Sequence, residues 1–306
     1  MNFLNTDTFP QLESYGKEIP PLSNSKTTPK EGYIYTYSDK IDPPEEGWQM
    51  EDIEQMYQDA VSRGYCANWS EMGAKKTSTG LWMIQRLWKE HWSKTLEEGK
   101  HPNIWVCTTR SGKGTFFKLA PEILEGWYIF NMTAQGIFVL QDGKQSKLKL
   151  TKVPEYFDMP TLVVSHFNYY SRSNKGQFLE IEGIPVTDKD GAIKMKPWTP
   201  ADHFVNREWD LCWVDEAHRI KEKDTKWTVI IKRSKDGIRM DTTGTGFINK
   251  PDEVWSLIDH MVKAQTSKPI DQDPIKNEAS SYYDFRDEFC LIDDDEGYEK
   301  VIGIRP

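Results

Sequence analysis

Six short apolar runs limit what this chain can fold into: "YCANWS", "NIWVCTT", "WYIFN", "TLVVSHF", "LCWVDEA" and "IRMDTTG", starting at residues 65, 103, 127, 161, 211 and 238. All are rich in β-branched and aromatic residues, and none alternates apolar with polar. A strand wetted on one face alternates, whereas an unbroken apolar strand needs cover on both faces. Helical periodicity fills several of the intervals. "MEDIEQMYQDAVSRG" repeats Ile53, Met56, Tyr57 and Ala60 at helical spacing and stops at Gly64. "TGLWMIQRLWKEHW" places Leu81, Ile84, Trp88 and Trp92 on one stripe, and "PDEVWSLIDHMVKA" does so with Val254, Leu257, Ile258 and Met261. Strands alternating with helices predict an α/β fold around a mostly parallel sheet. One stretch departs from that pattern: "GIFVLQDGKQSKLKL", with its Asp-Gly, reads as a β-hairpin.

Before residue 46 the chain is rich in Pro, Ser, Thr and Lys, which predicts an irregular arm over 1–45 with a short strand at "GYIYTY". No apolar run reaches the roughly 18 residues that span a bilayer, and no secretory signal opens the chain. Cys66, Cys107, Cys212 and Cys290 lie far apart with no C-x-x-C pair, and three of them sit in apolar stretches and read as free buried thiols, which fits a reducing, cytoplasmic compartment. A net charge of -9 argues against a generally basic nucleic-acid coat, though it leaves room for a local basic track.

Three motifs carry chemistry. "SEMGAKKTST" (70–79) lies between an apolar run and a helical stripe, where free backbone amides and a helix dipole converge on an anion. In a phosphate loop Lys76 would neutralise phosphates and Thr77 would ligate magnesium. Ser70 and Lys75 stand where the strict pattern has glycines. A nearby "TTRSGKGTFF" has Gly112-Lys113 but carries Gly114 in place of the required hydroxyl residue, so it is not the nucleotide loop. The second motif, "WDLCWVDEAHRIK" (209–221), delivers Asp215 and Glu216 to a strand's C-terminal edge, one to hold magnesium and one to polarise water. A metal-hydrolase reading of His218 lacks partner ligands at set spacing. The third, "DTTGTG", is a Thr-Gly-Thr turn after a strand, suited to act as a hydrogen-bonding switch.

In this order, and continued by "FINKPDEVWSLIDHM", these motifs resemble those of Swi/Snf-like superfamily-two helicases and translocases, most closely the phage-encoded members. The likeness spans roughly residues 45–290. "EMGAKKT" resembles motif I, "VCTTRSGKGTF" motif Ia, "VDEAHRIK" the DEAH-type motif II and "TTGTGFINKPDEVWSLI" motif III. The resemblance implies a first RecA-like P-loop domain over 46–270, with helices on both faces of the sheet, and ATP and Mg2+ as cofactors. Gln49 would read adenine. Gly73, Ala74, Lys75, Lys76 and Thr77 would surround the phosphates, with Thr77 and Asp215 on the metal. Asp215, Glu216 and His218 would be catalytic, and Thr243, Gly244 and Thr245 would couple nucleotide to motion. Thr108, Arg110, Lys113, Thr115 and Tyr169 would lie along a non-specific DNA-backbone track.

Two departures shape the expectation. Lys75 replaces a glycine, which predicts weakened or abolished hydrolysis. Residues 271–306 resemble only a linker and the beginning of the family's second, arginine-bearing RecA-like domain, motifs IV to VI being absent. The chain therefore reads as the ATP-binding core of a DNA helicase or translocase of the phage-encoded kind in a bacterial host, inactive alone, and either a fragment or a split product completed by a separate chain. The alternative is a non-catalytic DNA- or protein-binding module built on the same fold. A nucleotide kinase would need a lid and an acceptor site.

Overall fold

A computed structural model describes residues 47–150, 159–170 and 207–304, apart from 97–98, 125, 134–135, 142–143, 245–250, 268, 270–271, 279–280 and 294–299; two short pairs, Glu180–Ile181 and Ile184–Pro185, are also described. The N-terminal arm and its "GYIYTY" strand lie outside the described residues. In chain order the main elements are α1 (Gly47–Arg63), β1 (Tyr65–Asn68), α2 (Lys76–Arg86), β2 (Asn103–Thr108), α3 (Gly112–Ile123), β3 (Tyr128–Thr133), β4 (Gly136–Gln141), β5 (Lys144–Leu150) and β6 (Thr161–His166). They continue with β7 (Glu208–Asp215), α4 (Lys226–Lys232), β8 (Lys235–Thr242), α5 (Pro251–Val262), α6 (Tyr282–Phe289), β9 (Cys290–Asp293) and β10 (Lys300–Ile304).

All six apolar runs become strands of one sheet, ordered β1-β8-β7-β2-β6-β3-β4-β5. The first six in that order pair in parallel, and β4 and β5 extend the sheet as an antiparallel hairpin. Alternate residues of each central strand point to opposite sides, and both sides are covered. Trp105, Phe130, Val163, Cys212 and Val214 pack towards Ile231 of α4 and Leu257 of α5. Ile104, Val106, Ile129, Leu162, Leu211 and Trp213 pack towards Ile53, Leu81, Ile84 and Phe116 from α1, α2 and α3. This two-sided cover explains why the runs do not alternate.

The predicted stripe from Leu81 to Trp92 is not one regular helix. After Arg86 the backbone widens into a π-helical stretch, Leu87–Trp92. That adds residues per turn and changes the phase, so Trp92 is buried while Trp88 is only partly covered. Gly64, the predicted stop of α1, sits at φ +81, and a Cβ there would lie 2.6 Å from Ser267 N and Thr266 Oγ1. Both the handedness and the space demand glycine.

Polar side chains key α5 to β8. The Arg239 guanidinium, 1% exposed, donates to Asp236 and to the carbonyls of His260 and Ser234. His260 Nδ1 pairs with Asp241 at 2.9 Å, both groups fully buried. Ser256 Oγ donates to the Ile220 carbonyl, which ties α5 to the turn following β7. On the outer side of α5, Trp255 packs edge-on against Tyr282 of α6.

Candidate functional site

Strand β1 ends in a loop that holds itself closed. Asn68 Oδ1 accepts from Ser70 N at 3.1 Å and from Ser70 Oγ at 2.5 Å. The backbone then passes through Gly73 at φ +86 and Lys75 at φ +47 before α2 begins at Lys76. Lys75 thus adopts the left-handed conformation a glycine would supply, at a cost of roughly 1–2 kcal/mol for a residue with a Cβ. Its carbonyl is held by Ser78 Oγ at 2.8 Å and Thr79 N at 3.1 Å. Ser78 and Thr79 in turn accept from Gln49 Nε2 at 3.1 and 3.0 Å, which fixes α1 to the first turn of α2. The Lys76 ammonium folds back on the loop and donates to the carbonyls of Ser70 and Glu71 at 3.0 and 2.7 Å.

Two strands away, β7 ends in Asp215, which is 8% exposed. Its Oδ2 accepts from Thr108 Oγ1 at 2.6 Å and its Oδ1 from Thr242 Oγ1 at 2.9 Å. Burial raises the Asp215 carboxyl above its ordinary range, and the two hydroxyls act against that rise. Glu216 follows in a left-handed conformation, φ +57. His218 lowers the Glu216 carboxyl by hydrogen bonding, with Nδ1 3.2 Å from Glu216 Oε2. The same ring nitrogen lies 3.0 Å from Thr243 Oγ1, so the third motif touches the second directly. Gly244 lies against the loop as well: a Cβ there would come within 2.9 Å of Met72 Cγ and 3.4 Å of Lys76 Nζ.

These pieces surround one cavity of about 870 Å³, lined among others by Gln49, Lys75, Lys76, Thr77, Asp215 and Glu216. That volume suits a nucleotide-sized ligand. Among the described residues, Lys75 and Glu216 are the two non-glycine residues with positive φ, and both line this cavity. Backbone strain gathered at one concave site points to function. Gly73 and Gly244 also line it, while Ala74 sits in the loop, its N–H donating to the Glu71 carbonyl at 3.3 Å. Thr245 lies outside the described residues.

Three residues expected on a DNA track are not at the surface. Thr108 is fully buried because its hydroxyl holds Asp215. Lys113 is 7% exposed: its ammonium donates to the Met132 carbonyl at 2.9 Å and lies 5.7 Å from the Phe117 ring centre. Burial brings its pKa down to about 8. Tyr169, 3% exposed, packs edge-on against Tyr170 inside the core. Arg110 and Thr115 are exposed, and Thr115 lines the cavity. Two residues that sequence reasoning missed, Trp213 and Thr242, join this site; Trp213 Nε1 donates to Thr242 Oγ1 at 2.8 Å. Among the described residues no group of three or more His, Cys, Asp or Glu forms a metal cage, and no helix is long and apolar enough to cross a membrane.

Residues 69–269 match the SNF2-related domain. The chain belongs to that family. Curated relatives of this SNF2-related chain include the TATA-binding protein-associated factor BTAF1 of Arabidopsis thaliana, 26% identical over 113 residues, covering 36% of this chain and 5% of the relative. Mouse DNA excision repair protein ERCC-6-like 2 is 35% identical over 74 residues, covering 21% of this chain and 5% of the relative. Mot1 of Schizosaccharomyces pombe is 27% identical over 128 residues, covering 37% and 6%. The matched stretches are thus small parts of much longer proteins. Among solved structures, the Sulfolobus solfataricus SWI2/SNF2 ATPase core in complex with dsDNA superimposes with a TM-score of 0.52 at 19% identity, covering 84% of this chain and 40% of that one. At that identity the likeness speaks for the fold: a RecA-like core with a mostly parallel sheet and helices on both faces.

Proposed function

We propose that residues 46–270 form the nucleotide-binding core of an ATP-dependent translocase acting on double-stranded DNA. The observation that carries this is the shared cavity, where the Lys76-Thr77 pair at the start of α2 meets the Asp215-Glu216 pair at the end of β7. Both pairs stand at C-terminal strand edges, where open α/β sheets gather ligands. Lys76 would exchange its two loop carbonyls for phosphate oxygens, and Gln49 stands at the cavity wall for the base. Thr77 and Asp215 offer hard oxygen donors that fit Mg2+. When bound, that ion would neutralise phosphate charge and orient the transferred group. Glu216 would orient and polarise the attacking water, with its carboxylate kept ionised by His218. His218 would also report the state of the site to Thr243. Arg110 and Thr115 remain as surface groups for the DNA backbone. An arginine-bearing second domain, in the same or another chain, would complete the site for turnover.

The second reading, a non-catalytic DNA- or protein-binding module, rests on Lys75. A side chain at this left-handed position stands where an anion must approach the backbone closely, and it can obstruct as well as attract. Titration calorimetry of Mg2+-ATP on the wild-type chain and on Lys75→Gly separates the two. Binding by both supports the nucleotide core and shows that the loop tolerates the lysine. Binding by Lys75→Gly alone identifies a site disabled at one residue, which favours the module. Binding by neither overturns the nucleotide reading.

A further inference from the structure

We infer that Trp213 and Thr242 form a hydrogen-bond relay that sets the orientation of the Asp215 carboxylate for a divalent cation. The inference rests on the nucleotide reading above but concerns residues to which none of the three motifs assigns a role there.

The polarity of the relay follows from its chemistry. An indole N–H can only donate and an ionised carboxylate can only accept. Thr242 stands between them, 2.8 Å from Trp213 Nε1 and 2.9 Å from Asp215 Oδ1. Its oxygen must therefore accept from the indole, which leaves its one proton for Asp215. Thr108 does the same for the other carboxylate oxygen at 2.6 Å. With one hydroxyl on each oxygen, the carboxylate plane cannot turn without breaking a charge-assisted bond. Asp215 itself lines the cavity that Thr77 also lines.

The anchor of the relay is equally well defined. Trp213, Thr242 and Thr108 are fully buried. The Trp213 ring is fixed edge-on to Phe116, with ring centres 4.8 Å apart. It enters α2's side of the sheet only because residue 80 is glycine: a Cβ there would stand 2.5 Å from Trp213 Cη2. Thr242 precedes Thr243, the partner of His218, so a displacement of the strand end would reach both Asp215 and His218. Trp213 and Thr242 are positioning residues, since neither reaches the ligand.

The test measures Mn2+ affinity in the presence of ATP by electron paramagnetic resonance of free Mn2+, with thermal melting of every variant alongside. Thr242→Val keeps the shape and removes both bonds; it is expected to weaken Mn2+ binding about 10- to 100-fold, as loss of an outer-shell partner does. Thr242→Ser, which restores the hydroxyl, is expected to bind like the wild type. Trp213→Phe removes the donor and is expected to weaken binding without adding to the effect of Thr242→Val in the double variant, because the two act as one unit. An independent readout is the Trp213 indole N–H resonance, assigned by its loss in Trp213→Phe. It should shift on adding Mg2+-ATP to the wild type and stay still in Thr242→Val. If Thr242→Val folds and binds Mn2+ as tightly as the wild type, the relay is overturned while the nucleotide reading stands. If Thr242→Val does not fold, unchanged affinity in Trp213→Phe overturns the relay. If neither the wild type nor Lys75→Gly binds Mn2+ with ATP, the nucleotide reading falls and takes the relay with it.

Discussion

Lysines at 75, 76 and 113 illustrate how little a residue type says until its surroundings are known. Lys75 is exposed and strained, Lys76 is tied to loop carbonyls, and Lys113 is buried with one carbonyl partner. For Lys113 the consequence is measurable. Its pKa of about 8 in the fold lies below the 10.5 of the free side chain. Between those values the unfolded chain binds more protons than the native one, so this residue's contribution to stability rises with pH across that window. Below pH 8 the buried charge is a liability of about 3 kcal/mol. Lys113→Met is therefore expected to melt at a higher temperature than wild type at pH 7. The gap should narrow between pH 8 and 10, and calorimetric melting at several pH values checks both. That Lys76, Thr77, Asp215 and Glu216 would meet was legible, because their spacing after apolar runs dictates strand-edge positions. Thr108, Lys113 and Tyr169 were misread because motif position fixes where a backbone lies, not which way a side chain turns. Trp213 and Thr242 were illegible because their relay joins neighbouring strands through a gap left by a glycine 133 residues upstream of the one and 162 of the other.

Helix α2 shows the same limits at the scale of elements. Its start could be read from the phosphate-loop pattern and its apolar stripe from periodicity. The widening at Leu87–Trp92 could not, since every residue there tolerates an ordinary helix. α3 and α4 were also missed. α3 opens on Ser-Gly-Lys-Gly, which reads as a turn, and contains Pro121. What makes each of these elements hold is packing against the sheet, which outweighs local propensity. Gly80 gives a test of that ranking. Within a helix, glycine to alanine ordinarily adds about 1 kcal/mol of stability. Here the new methyl would press on the Trp213 ring at 2.5 Å, so Gly80→Ala is expected to destabilise by about 1–3 kcal/mol, as overpacking does. Adding Trp213→Phe should recover part of that loss, because the smaller ring frees the space. Denaturant melts of the two single variants and the double variant decide it; a stabilised Gly80→Ala would contradict the packing described here.

For the molecule as a whole, charge sets the terms of any contact with DNA. A net charge of -9 opposes the approach of a polyanion, so attraction would have to come from local surface cations such as the exposed Arg110. Binding should be independent of sequence and fall steeply with salt, because it would displace counterions from phosphates. Fluorescence anisotropy of labelled duplexes across a KCl series is expected to give a straight line of log affinity against log salt. Arg110→Ala should lower affinity equally on unrelated sequences and reduce the slope by about 1. An affinity that ignores salt would count against a phosphate-borne contact. The fold class, the parallel core and the antiparallel extension were all legible at this scale, since unbroken apolar runs and an Asp-Gly turn are signals the whole sheet must obey.

The hairpin extension has one further consequence. Strand β5 is the outermost described member of the sheet, and among the described residues one of its sides has no neighbouring strand to take up its amides and carbonyls. Such a rim is an invitation to a second copy. Three lysines among the seven residues Lys144–Leu150 make the invitation hard to accept. Two such strands laid side by side would bring like charges together, which opposes extension of this rim by a second copy.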